Sequence, residues 1–461
     1  MEAINNFVSV VNGFVWGPVM LVLLFGTHVF LTVRTKFIQK YMFKAIKMSV
    51  TPDKEAEGDI SGFGALATAL AATIGTGNIV GVATAVSIGG PGAILWCWLT
   101  GLFGIATKYG EAILAIKYRV KDKNGNMVGG PMYALERGMG QKWLGVMFAV
   151  FAGIACFGIG NMTQGNSIAV MVEENLNVSP VITGIILTVA TGAAILGGVK
   201  SIASVCEKLI PLMAALYIIG CVIILCINAP YIGQAFNVIF RGAFGMEQVV
   251  GGFAGGAISM AIRYGVARGL FSNEAGLGSA PIAAAAAQTR NPVHQSLVSM
   301  SGVFWDTIIV CALTGLVLVT SMLKDTTGAM EGLSGGLLTS AAFNAIPVIG
   351  PIVLTIGLIT FAWSTILGWS YYGERVWIYL VGSKVIKPFR VVWTLVVFVG
   401  CVTALDLVWN IADTLNAMMA FPNLVALLGL SGVIVSETKK YLWDDNMEAW
   451  STDEIPTVDK A

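Results

Sequence analysis

The stretch AATIGTGNIVG, residues 71–81, lies in the middle of a long apolar segment and carries three glycines within seven positions. Each glycine weakens a helix by about 1 kcal/mol relative to alanine. Thr76 and Asn78 have side chains that can hydrogen-bond the backbone groups released by unwinding. The spacing therefore predicts a membrane helix that is interrupted near residue 76. In lipid, an open backbone is tolerated only where it lines a cavity, so its amides and carbonyls become available to a ligand.

The polarity of such a break predicts what it could bind. The half-helix that begins near Gly77 directs the positive end of its dipole at anions such as a carboxylate, and the carbonyls that end the preceding half suit a small cation. Close helix packing through small residues is the structural alternative. A dinucleotide-binding loop fits poorly, because the spacing is GxGxxxG and no soluble βαβ unit surrounds it.

The composition indicates a membrane protein. Hydrophobic residues make up 56% of the 461 positions, charged residues make up 11%, and the mean hydropathy is +0.79, a balance that a water-soluble fold of this length could not bury. The net charge of +1 without a basic stripe argues against nucleic acid as a partner. Two histidines, and seven cysteines without CxxC spacing, give almost no material for a zinc site.

Apolar runs of about 20 residues predict an all-α membrane protein of about eleven transmembrane helices. The predicted spans cover residues 10–33, 62–88, 92–118, 143–171, 180–198, 204–227, 247–280, 293–322, 350–374, 388–408 and 411–435. Residues 231–243 and 336–346 are too short to span and are predicted to lie at the interface. Lys36, Lys40 and Lys44 crowd the first loop, which predicts an extracellular N-terminus and a cytoplasmic C-terminus.

Eight charged residues fall within the predicted spans, where each should face protein or a water-filled cavity. Most lie near a predicted helix end, which is typical of snorkelling or paired structural charges, and Asp306 lies deepest. The eight are Lys108, Glu111, Arg263, Arg268, Glu274, Asp306, Asp406 and Asp413.

A second glycine-rich segment, residues 251–281, opens the seventh predicted span, five spans after the first. Two interrupted helices at corresponding positions are typical of two five-helix halves related as an inverted repeat. The span is longer than a crossing requires, which leaves room for an unwound centre near residues 255–259. We therefore expect Gly256 and Ser259 to contact the substrate.

The ninth span contains FAWSTILGWSYYGER, residues 361–375. The hydroxyls of Ser364 and Thr365 could, with the Phe361 carbonyl, ligate Na⁺, a hard ion that prefers oxygen, or they could bond back to the preceding turn. Trp369, one turn later, could cap a pocket for a small side chain.

The fourth span carries amide side chains in an otherwise apolar region, among them Asn161 and Gln164. They could bind the polar groups of a substrate or hydrogen-bond a neighbouring helix, and spacing does not separate the two.

The chain resembles the alanine or glycine:cation symporter family, sodium-coupled carriers with the LeuT-type fold. The resemblance covers about residues 10–435 and rests on three blocks: GFGALATALAATIGTGNIVGVATA, GGPGAILWCWLTGLFGIATKYGE and YGVARGLFSNEAGLGSAPIAAAAA. It implies a five-plus-five inverted repeat preceded by one extra N-terminal helix. The expected division is an N-terminal region with the extra helix and a basic loop (1–61), a first repeat (62–227), an extracellular loop (228–246), a second repeat (247–435) and a cytoplasmic tail (436–461).

The same resemblance implies Na⁺ as the coupling ion, and no organic cofactor is expected. The sodium site of the fold would fall on the carbonyls of Ala71, Ile74 and Phe361 and on the hydroxyls of Ser364 and Thr365. No second sodium site is carried over.

The resemblance also implies how the substrate is held. The amides of Thr76 and Gly77 would bind its carboxylate, with Gln164 nearby and Trp369 beside its side chain. For the second broken helix two alignments compete, one centred on residues 255–259 and one on residues 271–274, and we favour the first because it lies nearer the predicted midplane. The full set of expected substrate contacts is Thr73, Gly75, Thr76, Gly77, Asn78, Asn161, Gln164, Gly256, Ser259 and Trp369.

Together these expectations describe a secondary active transporter that carries alanine or glycine with Na⁺ by alternating access. Proton-coupled carriage, with an amine such as Lys208 in place of the cation, is the nearest alternative. An intramembrane enzyme is less well supported because paired catalytic carboxylates at one depth are lacking. The expected partners are a small-molecule substrate and membrane lipid, and the oligomeric state is open.

Overall fold

The computed structural model describes residues 2–51, 56–245, 258–403 and 406–458. Within these ranges the chain forms eight long apolar helices, one bent pair of half-helices and two shorter helices that complete the series. They are α1 (Asn6–Arg34), α2 (Gly62–Thr73 and Gly77–Gly89), α3 (Ala93–Lys117), α4 (Lys142–Leu176), α5 (Pro180–Ile195), α6 (Gly198–Ile227), α7 (Ile258–Asn273), α8 (Pro292–Lys324), α9 (Ile349–Val381), α10 (Ser383–Val402) and α11 (Val408–Gly429). This arrangement agrees with the predicted count of about eleven.

Short elements connect the spans. A two-stranded antiparallel hairpin pairs β1 (Val120–Lys121) with β2 (Met127–Val128). The two stretches predicted to be too short to span form the helices Ile232–Ala243 and Gly335–Phe343. Further short helices cover Met42–Ser49, Pro131–Tyr133, Pro281–Ala284 and Ser431–Thr438. Wider π-type turns interrupt α4 at Gly158–Met162 and α8 at Phe304–Cys311.

The spans pack as two groups. Helices α2, α3, α7 and α8 contact one another, and α4, α5, α9 and α10 form a second group, with α2 packed against α9 where the groups meet. Within the most apolar window of α3, 83% of the residues are buried, whereas the figure for α1 is 17%. A helix that is apolar on all sides is stable when protein or lipid surrounds it, so α3 is a core helix and α1 an outer one.

The C-terminal segment packs on one face of the protein. The main chain of Lys121 in β1 pairs with that of Thr457 as a parallel bridge. The side-chain amide of Asn291, just before α8, donates to the carbonyls of Met447 and Ala449, both at 2.9 Å. The ammonium of Lys36 in the first loop lies 4.2 Å from the centre of the Trp443 ring. The first loop, the β-hairpin and the tail therefore share one side of the molecule.

Candidate functional site

Helix α2 is interrupted where its glycines predict. The first half ends at Thr73, the second begins at Gly77, and the two half-helices are bent by 51°. Ile74 has an extended backbone (φ −76°, ψ 93°), so the helix cannot continue through it. The Asn78 side chain caps the break by accepting the Gly75 amide at 2.9 Å. The local sequence thus explains the break, because an amide side chain replaces the hydrogen bonds that unwinding removes.

The five oxygens expected to bind Na⁺ converge beside this break. Ser364 Oγ lies 2.8 Å from the Phe361 carbonyl oxygen and 3.4 Å from that of Ala71. Thr365 Oγ1 lies 3.0 Å from the Phe361 carbonyl oxygen and 3.5 Å from that of Ile74. All five residues are buried. A cluster of neutral carbonyl and hydroxyl oxygens matches the preference of a hard monovalent cation.

Small residues allow α2 and α9 to approach closely enough to form this cluster. A Cβ atom at Gly368 would lie 2.6 Å from the backbone nitrogen of Ala72, and one at Gly75 would overlap Thr365 Oγ1 and lie 3.4 Å from Gln164 Oε1. Real Cβ atoms do not approach backbone as closely as one at position 368 would, so glycine there is required for the contact between the helices. At position 75, a Cβ atom would displace the Thr365 hydroxyl.

The polar groups around Thr76 provide a candidate carboxylate site. Gln164 Oε1 accepts the Thr76 amide at 3.4 Å, and its Nε2 donates to the Ile159 carbonyl at 2.9 Å. Thr76 Oγ1 is buried and has no hydrogen-bond partner among the described residues. A buried hydroxyl without a partner is unfavourable by about 1–3 kcal/mol, and a bound polar ligand would remove that penalty. Thr73 is also buried here, and its hydroxyl lies 3.3 Å from the Leu70 carbonyl.

Asn161 and Trp369 flank this region in different ways. The Asn161 side chain donates to the Trp393 carbonyl of α10 at 2.9 Å. It therefore joins α4 to a neighbouring helix, which is one of the two roles expected for it from the sequence. Trp369 is 1% exposed. Its side chain packs on Gly160, where a Cβ atom would overlap it, so this indole is fixed against α4 close to Gln164.

The favoured position of the second break, residues 255–259, lies mostly outside the described residues, and so does Gly256. Ser259 is within the described part of α7, where it is helical and exposed. Helix α7 ends at Asn273, and positive φ angles follow at Glu274 (56°), Gly276 (88°) and Gly278 (84°). The break therefore begins at the residues of the competing alignment, 271–274.

A single carboxylate joins the two broken helices. Asp306, in the π-type turn of α8, accepts Asn78 Nδ2 on Oδ1 at 2.7 Å, and on Oδ2 it accepts the hydroxyls of Ser272 at 2.8 Å and Thr307 at 2.7 Å. Asp306 is 0% exposed. Its depth marks it in the sequence as costly to place in hydrocarbon, but its role as a link between α2 and α7 is visible only in three dimensions. Gly77 packs directly on Phe271, because a Cβ atom there would lie 3.0 Å from the ring.

These features define a class of protein. A membrane helix broken beside buried neutral oxygens, and linked to a second broken helix five spans later, is the arrangement of a secondary transporter. The sequence profile described as Sodium:alanine symporter family matches residues 1–454. The chain belongs to this family, and it is therefore a symporter rather than an enzyme.

Two named relatives are similar to the chain over nearly their whole length. The chain is 55% identical to the sodium/alanine symporter AgcS of Methanococcus maripaludis, over 95% of this chain and 97% of that protein. It is 36% identical to the probable sodium/glutamine symporter GlnT of Bacillus subtilis, over 95% and 92% respectively.

Solved structures share the fold at low sequence identity. The structure of MhsT in complex with L-phenylalanine matches with a TM-score of 0.57 at 16% identity, covering 85% of this chain and 95% of that one. A manganese transporter of Eremococcus coleocola matches with a TM-score of 0.52 at 11% identity, covering 84% and 82%. These similarities assign the LeuT-type fold.

Proposed function

We propose that this protein carries alanine or glycine across the membrane together with Na⁺ by alternating access. The observation that carries the proposal is the convergence of Ala71, Ile74, Phe361, Ser364 and Thr365 oxygens at the break of α2. The name of the 55% identical relative, a sodium/alanine symporter, agrees with it. Trp369, fixed against Gly160, limits the room for a substrate side chain, which favours alanine or glycine over the glutamine named for the 36% identical relative.

In this mechanism Na⁺ bridges the two helix groups. Its carbonyl ligands Ala71 and Ile74 end the first half of α2, and its hydroxyl ligands belong to α9 in the other group. Binding of the ion orders residues 74–76, which presents the amides of Thr76 and Gly77, with Gln164, to the carboxylate of the substrate. A ligand shifts a conformational equilibrium only by its differential affinity for the two states. An ion bound by α2 and α9 at once favours the state in which the two helix groups are in contact.

The driving force is sufficient for accumulation. Inward movement of one charge at about 100 mV contributes roughly 2.3 kcal/mol, and a tenfold Na⁺ gradient adds about 1.4 kcal/mol. One ion per substrate could therefore sustain a concentration ratio of roughly several hundredfold.

We propose further that residues 62–227 and 247–435 are the two repeats, and that the N-terminus is outside and the C-terminus inside. The position of the second broken helix, five spans after the first, supports the repeats. The shared face of the first loop, β-hairpin and tail supports the orientation, because this face gathers basic residues such as Lys36 and Lys121 and basic loops stay in the cytoplasm.

Uptake of labelled alanine into proteoliposomes, with and without an inward Na⁺ gradient, tests the function. We expect uptake only with Na⁺, and equal uptake in its absence would contradict the coupling. Uptake driven by a pH gradient without Na⁺ would favour proton coupling instead. Nothing around Lys208 supports that alternative, since its side chain is exposed on α6.

A further inference from the structure

The last carbonyls of α7 lack the main-chain donors that they would have in a continuous helix. In a continuous helix, the amides of residues 275, 276 and 277 would donate to the carbonyls of residues 271–273. Instead, the amides of residues 275 and 277 donate within the segment 273–277, and that of Gly276 donates to the carboxylate of Glu111 on α3. The carbonyls at this end carry the negative end of the helix dipole, which suits a cationic group such as an ammonium.

The Glu111 carboxylate is built into the break. Its Oε1 accepts the amides of Gly276 at 2.9 Å and Gly278 at 3.1 Å, and also the side-chain nitrogen of Asn423 on α11 at 2.7 Å. Asn423 donates at the same time to the Gly276 carbonyl at 2.9 Å. Backbone amides that point to one side of a turn form an anion-binding concavity. Here a side chain from a neighbouring helix fills it, so α3 and α11 together fix the shape of the break.

Lys108 supplies the opposing charge. It lies one turn before Glu111 on the same face of α3, and the two residues are 4% and 2% exposed. Lys108 Nζ and Glu111 Oε2 are both buried without a hydrogen-bond partner in the described parts of the chain. A buried carboxylate is tolerated when it is hydrogen-bonded, and Glu111 Oε1 accepts three hydrogen bonds. Lys108 places a basic group one turn away without taking part in these contacts.

The segment that Glu111 holds continues directly into the candidate substrate site. Immediately before it, Phe271 packs on Gly77 of α2, and Ser272 donates to Asp306, which also holds Asn78. A shift of the break in α7 would therefore move Phe271 and Ser272, which face the first broken helix. Among the described residues, no such contact links Glu111 to the five oxygens of the proposed Na⁺ site, which belong to α2 and α9.

We propose that Glu111 is a positioning residue: by accepting the amides of Gly276 and Gly278, it keeps α7 broken and leaves the carbonyls of residues 271–273 available to the ammonium group of the substrate. The second part rests on the proposed amino-acid transport. The first part concerns the conformation of the chain and can be measured without any substrate.

Backbone hydrogen exchange of the purified full-length protein tests the first part. In Glu111→Leu, we expect the amides of residues 274–280 to exchange about tenfold faster or more, because hydrogen bonds to a charged group are lost. Glu111→Gln keeps an acceptor oxygen and should exchange at an intermediate rate. Glu437→Leu is the matched control, since Glu437 is also buried but pairs with Lys117, 2.8 Å away. Unchanged exchange in Glu111→Leu would overturn the proposal.

Transport kinetics test the second part. We expect the KM for alanine to rise about tenfold in Glu111→Leu. The rise in melting temperature produced by NaCl alone should stay as in the wild type, because the Na⁺ ligands lie elsewhere. A purely structural role would reduce the response to both ligands, and that result would also refute the proposal. If the wild type itself takes up no alanine, the transport function fails, while the exchange rates still decide the role of Glu111.

Discussion

Thr365→Val should weaken Na⁺ dependence while leaving the fold intact. Valine keeps the branched shape of threonine, so the substitution removes an oxygen from the cluster without opening a cavity. In the absence of a cation, the hydroxyl donates to the Phe361 carbonyl at 3.0 Å. A polar contact to a charged group contributes about 1.5–3 kcal/mol, and an ordinary hydrogen bond contributes about 1 kcal/mol. The net loss of Na⁺ binding free energy is the difference, about 0.5–2 kcal/mol.

This loss corresponds to a Na⁺ half-saturation that rises roughly twofold to thirtyfold, since about 1.4 kcal/mol is a factor of ten. The assay is initial uptake of labelled alanine by proteoliposomes across a series of external Na⁺ concentrations, with choline as the replacing cation. At saturating Na⁺, uptake should return close to the wild-type rate, because the variant weakens the ion site and leaves the substrate site unchanged.

Thr360→Val is the matched control on the same helix. Its hydroxyl also bonds back along α9, to the carbonyls of Ile356 at 2.8 Å and Gly357 at 3.0 Å, but unlike Thr365 it has no hydrogen bond to α2 among the described residues. It should therefore leave the Na⁺ half-saturation unchanged. Equal half-saturation in Thr365→Val and the wild type would remove Thr365 from the ion site, and an equal shift in both variants would show a general effect of hydroxyl loss on α9.

Three further substitutions probe the centre. Gly75→Ala places a methyl group against Thr365 Oγ1 and should abolish Na⁺-driven uptake. Gly26→Ala is the control, because no atom lies within 4 Å of the new carbon, and it should not abolish uptake. Na⁺-driven uptake by Gly75→Ala would refute the close approach of α2 and α9. Asp306→Asn should raise the alanine KM about tenfold in the same assay, because an amide nitrogen cannot accept the donors that this carboxylate binds. Trp369→Phe should let larger neutral amino acids compete roughly tenfold better with labelled alanine, and unchanged competition would separate the indole from the substrate pocket.

The first break could be predicted from sequence because its causes are local. Gly75 and Gly77 lower the stability of the helix, and Asn78, three residues after Gly75, supplies the replacement acceptor for its amide. All of this information lies within a few positions. The convergence of the Na⁺ oxygens was predictable only through the family resemblance, since Phe361 and Ala71 are almost three hundred residues apart.

The second break could not be located in this way. The preference for residues 255–259 rests on their predicted depth in the membrane, and glycines are denser there than after Asn273, so glycine content does not single out the break that follows Asn273. The break begins after Asn273 because Glu111, from another helix, accepts two of the amides that a continuous helix would use internally. Similarly, Asn161 and Gln164 look equivalent in sequence, but the π-type turn at Gly158–Met162 changes the direction of the side chains, and Asn161 bonds to α10.

In the proposed mechanism, sodium and substrate share one structural element. The carbonyls of Ala71 and Ile74 end the first half of α2, and the amides of Thr76 and Gly77 begin the second, so both ligands require the same few residues to be ordered. Linkage is reciprocal: an ion that orders this segment raises the affinity for the substrate by the same factor as the substrate raises the affinity for the ion. Asp306 extends the constraint to α7 through Asn78 and Ser272. Coupling in this transporter therefore follows from the short distance between the two half-helices, and no separate pathway between the sites is required.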